Sequence, residues 1–281
     1  AEMEEDEERE LAILEGERLL ELGHIDYQQS NYEDAQKHFT SSLTAFRLQR
    51  HRTGEAQAIG GLGLVDLRLG KHADAIEHFT RALDIARGLG DTLSEGNHLG
   101  NLGNLYHNLG DYPKAVAHYR QAITIARQIG NKRSEGHCLG NIGNVNQIIG
   151  NTTKALEYFN QALLIAREMG DKRFEGTHLG NLGLVYHVLD DDRNAIKHFR
   201  QAITLARDVS DKRNEGIFLG NLGNLFLKKG ETDEAEQALR EAIAICDKAI
   251  PQAAAAFRGS LALLLARRGQ LDEARALLAT G

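Results

Sequence analysis

The chain has 281 residues, with no Trp, two Pro, two Cys and two Met. Two cysteines cannot build a disulfide framework. No uninterrupted apolar run reaches the ~18 residues a bilayer span needs. The N-terminus lacks a charged-then-apolar leader. A reducing cytoplasmic setting and no membrane insertion are therefore expected. Asn151-Thr152-Thr153 matches a glycosylation sequon, which matters only in a secreted protein. Basic excess is also missing. The formal charge is −7, but residues 1–10 hold seven acids and one Arg, so they contribute −6 and the rest sums to −1. A nearly neutral body does not offer the concentrated basic surface that nucleic acid needs. Residues 1–14 read as an acidic, solvated segment.

Glycine, by contrast, is abundant at 29 residues, yet the scarcity of Pro and the lack of a Gly-X-Y period exclude collagen-like and Pro/Gly-rich disordered chains. The glycines sit in a repeat. Leu99-Gly100-Asn101-Leu102-Gly103-Asn104 returns as Leu139-Gly140-Asn141-Ile142-Gly143-Asn144, and again from Leu179 and from Leu219, each 40 residues on. Weaker copies start near Leu19 and Ile59, and a last copy near Gly259 is shifted by one residue. Six full units and a shorter seventh result, at about 15–50, 55–90, 95–130, 135–170, 175–210, 215–250 and 254–281.

Each unit reads as two helices. Leu99, Leu102, Leu105 and Leu109 follow helical spacing. Gly110-Asp111-Tyr112-Pro113 breaks the pattern, with Pro113 suited to a first helical turn. Ala115, Tyr119, Ala122 and Ala126 then mark one face of a second helix, and Gly130-Asn131 closes it. Alternating β-branched runs are absent, so strands are not expected. Two alanine columns, through Ala115 and Ala122, flank an aromatic column of Phe79, Tyr119, Phe159 and Phe199, with Leu239 in the sixth unit. Small residues let paired helices approach, and the aromatic fills the remaining gap.

Leu102-Gly103, Tyr106, Ala115, Tyr119 and Ala122 resemble the tetratricopeptide repeat pattern, at matching offsets. The first-helix Trp of that pattern is absent, and its closing Pro would fall at Arg127. The 40-residue period resembles the Partner-of-Inscuteable (LGN) class and bacterial signalling arrays. The resemblance covers roughly residues 15–279 and implies an all-α, right-handed superhelical solenoid of about seven helix-turn-helix units over 15–281, first helices lining the concave face.

No catalytic constellation emerges. P-loop, H-E-x-x-H, G-x-S-x-G and C-x-x-C patterns are absent. An enzyme is not expected, nor is a cofactor or metal. Cys246 replaces an alanine of the column Ala86, Ala126, Ala166 and Ala206, so it reads as a small core residue. Cys138 shares a column with His98 and His178, but zinc needs several converging ligands. His78, His118 and His198 precede the aromatic and are expected to face outward.

Asparagine is the informative residue. Asn97, Asn101, Asn104 and Asn108 fall on one face of a helix, beside a strip of Gly96, Gly100 and Gly103. The Asn101 column continues as Asn141, Asn181 and Asn221; the Asn104 column continues as Asn144 and Asn224, with Leu184 interrupting. An amide offers a donor and an acceptor, so such a row can pair with the backbone of an extended peptide. Asn at these offsets resembles the ladder of O-linked N-acetylglucosamine transferase and the carboxylate-clamp adaptors. The other reading is structural: each Asn ties one unit to the next. Arg133, Arg173 and Arg213 form a basic column suited to acidic side chains or a carboxylate of a ligand, or to pairing with Asp171 or Asp211. Glu95, Glu135, Glu175 and Glu215 are expected to pair with Arg87, Arg127, Arg167 and Arg207 of the preceding helix.

Units 3 to 6 carry the ladder, so residues 95–230 are the expected binding stretch. The absence of a polar last helix suggests a fragment of a longer protein. The leading expectation is a non-enzymatic scaffold that binds an extended or partly helical peptide segment of a partner protein, with an acidic segment suiting the Arg column. The alternative is a regulatory or self-associating module of a larger signalling protein, a kinase or transcriptional regulator.

Overall fold

A computed structural model describes residues 2–279, with side chains from residue 6 onward. Among the described residues there are fourteen α-helices and no strand. They are α1 (Glu2–Gln28), α2 (Tyr32–Leu48), α3 (Arg52–Arg68), α4 (His72–Leu89), α5 (Thr92–Asn108), α6 (Tyr112–Gln128), α7 (Lys132–Ile148), α8 (Thr152–Glu168), α9 (Lys172–Val188), α10 (Asp192–Asp208), α11 (Lys212–Lys229), α12 (Thr232–Ala249), α13 (Pro251–Arg267) and α14 (Leu271–Ala279). Odd-numbered helices are the first members of the helix pairs, and even-numbered helices the second. The chain falls into two compact units, Ala1–Ile142 and Gly143–Gly281, with the boundary inside α7.

Local sequence sets the helix ends. Asp91, Asp111, Asp191 and Asp211 each accept a backbone N–H from three residues on, satisfying a donor the first turn leaves open. The closing residue sits in the left-handed region at Gly70, Gly90, Gly110, Gly130, Gly150, Gly170 and Gly230, at φ between 65° and 78°. Ser30, Arg50, Asp190 and Ser210 occupy the same position with a side chain, at φ 65°, 56°, 56° and 54°. The link between α12 and α13 is the single residue Ile250 (φ −153°), which accounts for the one-residue shift of the last copy.

In the first unit, Ala35, Phe39, Phe46, Ala58, Ile59 and Val65 anchor a buried cluster. In the second, Phe159, Phe199, Leu225, Leu239 and Leu261 run through one continuous core. Fully burying a side chain of this size contributes ~1.5–3 kcal/mol. Both alanine columns are buried, and so is the aromatic column between them. The glycines of the first helices explain how these rings fit. A Cβ on Gly103 would lie 2.5 Å from Tyr119 Cε1, and one on Gly183 would lie 2.8 Å from Phe199 Cδ1. Each ring of the second helix therefore rests on bare backbone of its own first helix. A second glycine column meets the next pair instead: a Cβ on Gly60 would lie 2.7 Å from His98 Cε1. Gly100 has nothing within 4 Å of that position.

The acidic column ties successive pairs as expected. Arg87–Glu95, Arg127–Glu135, Arg167–Glu175 and Arg207–Glu215 lie at 2.8, 2.7, 2.8 and 2.8 Å, and Arg47–Glu55 extends the series at 3.1 Å. The histidine expectation is corrected. His78, His118 and His198 are half-buried against the first helix of their own pair. His78 Nδ1 lies 2.7 Å from Asp66 Oδ2, His118 stacks on Tyr106 with centroids 5.3 Å apart, and His198 packs on Tyr186 at 4.9 Å. Position 118 lies one residue before the ring at Tyr119, but the gap beside Tyr106 is wide enough to take a second ring.

Candidate functional site

The asparagines lie mid-helix on the first helices. In the first unit, α5 presents Asn101 half-buried, and Asn104 and Asn108 exposed; Asn141 on α7 is half-buried. Asn141 Nδ2 donates to Asn104 Oδ1 at 3.0 Å. The same oxygen accepts from the Tyr119 hydroxyl at 2.8 Å. Tyr119 is buried, and that burial pushes its phenol pKa well up, so the hydroxyl stays a donor at neutral pH. Asn104 is thus fixed from two sides: by its own second helix and by the next first helix. One N–H and the oxygen of Asn141 remain, and both N–H groups of Asn104.

In the second unit, Asn181 Nδ2 lies 3.4 Å from Asn144 Oδ1, the same link in a looser form. Phe159 stands where Tyr119 does, so no hydroxyl reaches Asn144. Leu184 interrupts the column before Asn221. Asn221 and Asn224 are half-buried. Among the described residues, neither Asn101 nor Asn221 has a side-chain hydrogen bond within the chain. The row therefore divides in two. Asn104 pairs with Asn141 and Asn144 with Asn181, whereas Asn101, Asn221 and Asn224 have no side-chain hydrogen bond among the described residues. The amide link was legible as an alternative in the repeat, because the two columns sit 37 residues apart across adjacent first helices.

Arg133, Arg173 and Arg213 are exposed on the first turns of α7, α9 and α11. Arg173 Nε lies 3.8 Å from Asp211 Oδ2, a loose surface pair of little energetic weight. Arg213 has no ion pair among the described residues.

Cys138 and Cys246 are buried free thiols, and burial pushes the Cys138 pKa up to about 11. A thiol held protonated is a poor nucleophile and a poor metal ligand. Among the described residues no group of three His, Cys, Asp or Glu side chains converges on a metal-sized space. Nor, among them, is any helix long and apolar enough to cross a membrane.

Comparisons with known proteins bear on the fold. The tetratricopeptide repeat profile matches residues 17–88 and 94–168, and that of the MalT-like TPR region matches 134–280. No curated protein sequence matches the chain. Among solved structures, a signal-transduction ATPase with a tetratricopeptide repeat sensor, from Pyrococcus horikoshii, superposes with TM-score 0.82 at 18% identity. The match covers 93% of this chain and 41% of that one, so the chain spans less than half of that protein. A Rap protein complexed with competence and sporulation factor gives TM-score 0.67 at 18% identity, over 98% of this chain and 87% of that one. The Rap conjugation gene regulator of plasmid pLS20, complexed with the Phr* peptide, gives 0.61 at 18% identity, over 92% and 70%. Together the repeat register, the helix pairs and the profile matches identify the chain as a member of the tetratricopeptide repeat family.

Proposed function

We propose that the chain is a non-enzymatic scaffold that binds an extended or partly helical segment of another protein along its first-helix faces. The amides of the asparagine columns meet the peptide backbone, and Arg133, Arg173 and Arg213 receive acidic side chains. One observation carries this reading. Asn101 and Asn221 are half-buried, mid-helix and without a side-chain hydrogen bond among the described residues, although Asn is a mediocre helix former. Amides left open on a helix face offer both donors and an acceptor, and an extended ligand backbone can take them together. The linked asparagines hold the neighbouring amides in fixed orientation. Two of the Rap structures that share the fold carry a bound factor or peptide.

The test is selection of random displayed dodecapeptides on the intact chain, followed by titration of the selected peptides. Asn101→Ala combined with Asn221→Ala removes amides that tie nothing within the chain. Weakening by more than about tenfold, with unchanged thermal unfolding, supports the reading, since buried hydrogen bonds at a ligand carry that much energy. Unchanged affinity for every selected peptide overturns it.

A second reading has its own observation. The Pyrococcus ATPase with a tetratricopeptide repeat sensor extends well beyond the matched region. A regulatory module within a larger signalling protein would have the same fold, and its groove would hold an internal segment or a second copy.

A further inference from the structure

The repeat register makes departures visible, and several departures meet at one place in the second unit. Arg193, Lys197 and Arg200 follow one another along a single face of α10. The equivalent triplets read Glu33/Lys37/Thr40, Ala73/Glu77/Thr80, Pro113/Ala117/Arg120, Thr153/Glu157/Asn160 and Asp233/Gln237/Arg240. No other second helix through α12 carries three cations there. Lys229 departs too: Leu69, Leu109, Ile149 and Leu189 fill its column in the four preceding pairs. Finally, Ala238 stands where His78, His118, Tyr158 and His198 stand, so no ring covers Phe226 from α12.

These departures line one open groove. Its wider part, about 780 Å³, is walled by Arg193, Lys197, Arg200 and Lys229 on one side and by Asp190, Asp191 and Asp192 at its end. A further space of about 400 Å³ shares Arg200 and has Leu222, Phe226 and Ala238 along its floor. Arg200 Cζ lies 6.0 Å from the centroid of the Phe226 ring. Arg193, Lys197 and Arg200 form no ion pair among the described residues. The acids nearby are already engaged. Asp190 and Asp192 pair with Lys228, and Asp191 accepts from Asn194. The opposite wall carries Glu234 and Glu241, the latter paired with Arg207.

We propose that this groove, which runs along α10 past the end of α11 and onto α12, is a second docking surface, distinct from the asparagine face, for a short acidic segment of a partner protein. Carboxylates of the segment meet Arg193, Lys197 and Arg200, and one apolar side chain rests on the Phe226–Ala238 floor. Charge complementarity selects this occupant: Lys197 and Arg200 have no ion pair among the described residues, Arg193 has only the field of Asp191, and a short run of acids would meet all three together. Glu234 on the far wall disfavours a segment with acids on both edges.

The same selection of displayed dodecapeptides tests the proposal independently of the asparagine reading. Expected is a class of peptides enriched in Asp and Glu around one large apolar residue. Its affinity should fall by about tenfold or more in Lys197→Glu/Arg200→Glu. It should fall with rising salt and stay unchanged in Asn101→Ala/Asn221→Ala. Filling the floor with Ala238→His, the residue of the other pairs, should weaken the same peptides and leave unfolding temperature near wild type. If no acid-enriched class appears, or if the charge reversals leave it bound, the surface is not a docking site. If the acid-rich peptides are lost only in the asparagine variant, they belong to the first-helix face and the proposal is wrong.

Discussion

Asn141 donates to the side-chain oxygen of Asn104 across the interface between two successive first helices, and that oxygen also receives the hydroxyl of Tyr119. One amide thereby joins three helices. Asn104→Leu, which copies the residue at Leu184, should leave the buried Tyr119 hydroxyl without its acceptor and cost ~1–3 kcal/mol. Tyr119→Phe copies Phe79, Phe159 and Phe199 and should relieve most of that loss. A double-mutant cycle by urea unfolding should show coupling of at least ~0.5 kcal/mol between the two sites. Additive effects would show that the bond carries no net energy.

Two glycines three residues apart should respond with opposite sign. Gly103→Ala places a Cβ 2.5 Å from the Tyr119 ring, which is packed on all sides, and should cost ~1–3 kcal/mol. Gly100→Ala meets nothing within 4 Å and should stabilise by ~0.5–1 kcal/mol, the helix-interior penalty of glycine. Thermal unfolding of the two variants checks the pair.

Arg50 and Ser210 close helices in a left-handed conformation that their neighbours in register fill with glycine. Arg50→Gly and Ser210→Gly should each raise stability by up to ~1 kcal/mol, because the strain on a Cβ at that φ exceeds the added freedom of the unfolded chain. A fall in unfolding temperature would mean that side-chain contacts at these turns outweigh the strain.

Stability should fall with pH in two steps. Burial lowers the pKa of His98 below its ordinary 6.5, against a smaller opposing pull from Asp91. The unfolded chain then takes up the proton first, so stability drops as pH falls below about 6.5. Glu215 behaves at lower pH. Burial works to raise its pKa, but hydrogen bonds from Lys212 and Arg207 outweigh it, and the net shift is below the ordinary 4.5. That stability is present above about pH 4.5 and is lost as pH falls through the lowered value. His98→Phe should shrink the upper step, to which His24 and His118, also lowered by burial, contribute the rest, and leave the lower one, since Phe218 already fills the same position in register. Urea unfolding at pH 7.5, 5.5 and 4 measures both, spanning the ordinary His and Glu values; an unaltered upper step would assign it to other groups.

Much of this architecture can be read from the chain alone because every structural unit is written several times. Helix pairs, the buried alanine and aromatic columns and the Arg–Glu ties all follow from residues that recur at one register. What escaped was what differs between copies. His118 was expected outside because it precedes the aromatic of its helix, yet Tyr106 on the facing helix provides a surface for it. The fixing of Asn104 depends on a hydroxyl that only Tyr119 supplies among the rings of its column. The groove beside Phe226 depends on a missing ring at Ala238, and periodicity conceals such a position because the alanine still looks like helix.

The central claim is that unlinked asparagine amides on the first helices hold a peptide backbone. Calorimetric titration of a selected peptide into wild type and into Asn101→Ala/Asn221→Ala tests it most directly. The expected result is a loss of affinity of more than about tenfold, ~1.4 kcal/mol or greater, with unfolding unchanged. Equal affinity in the two proteins would contradict the claim.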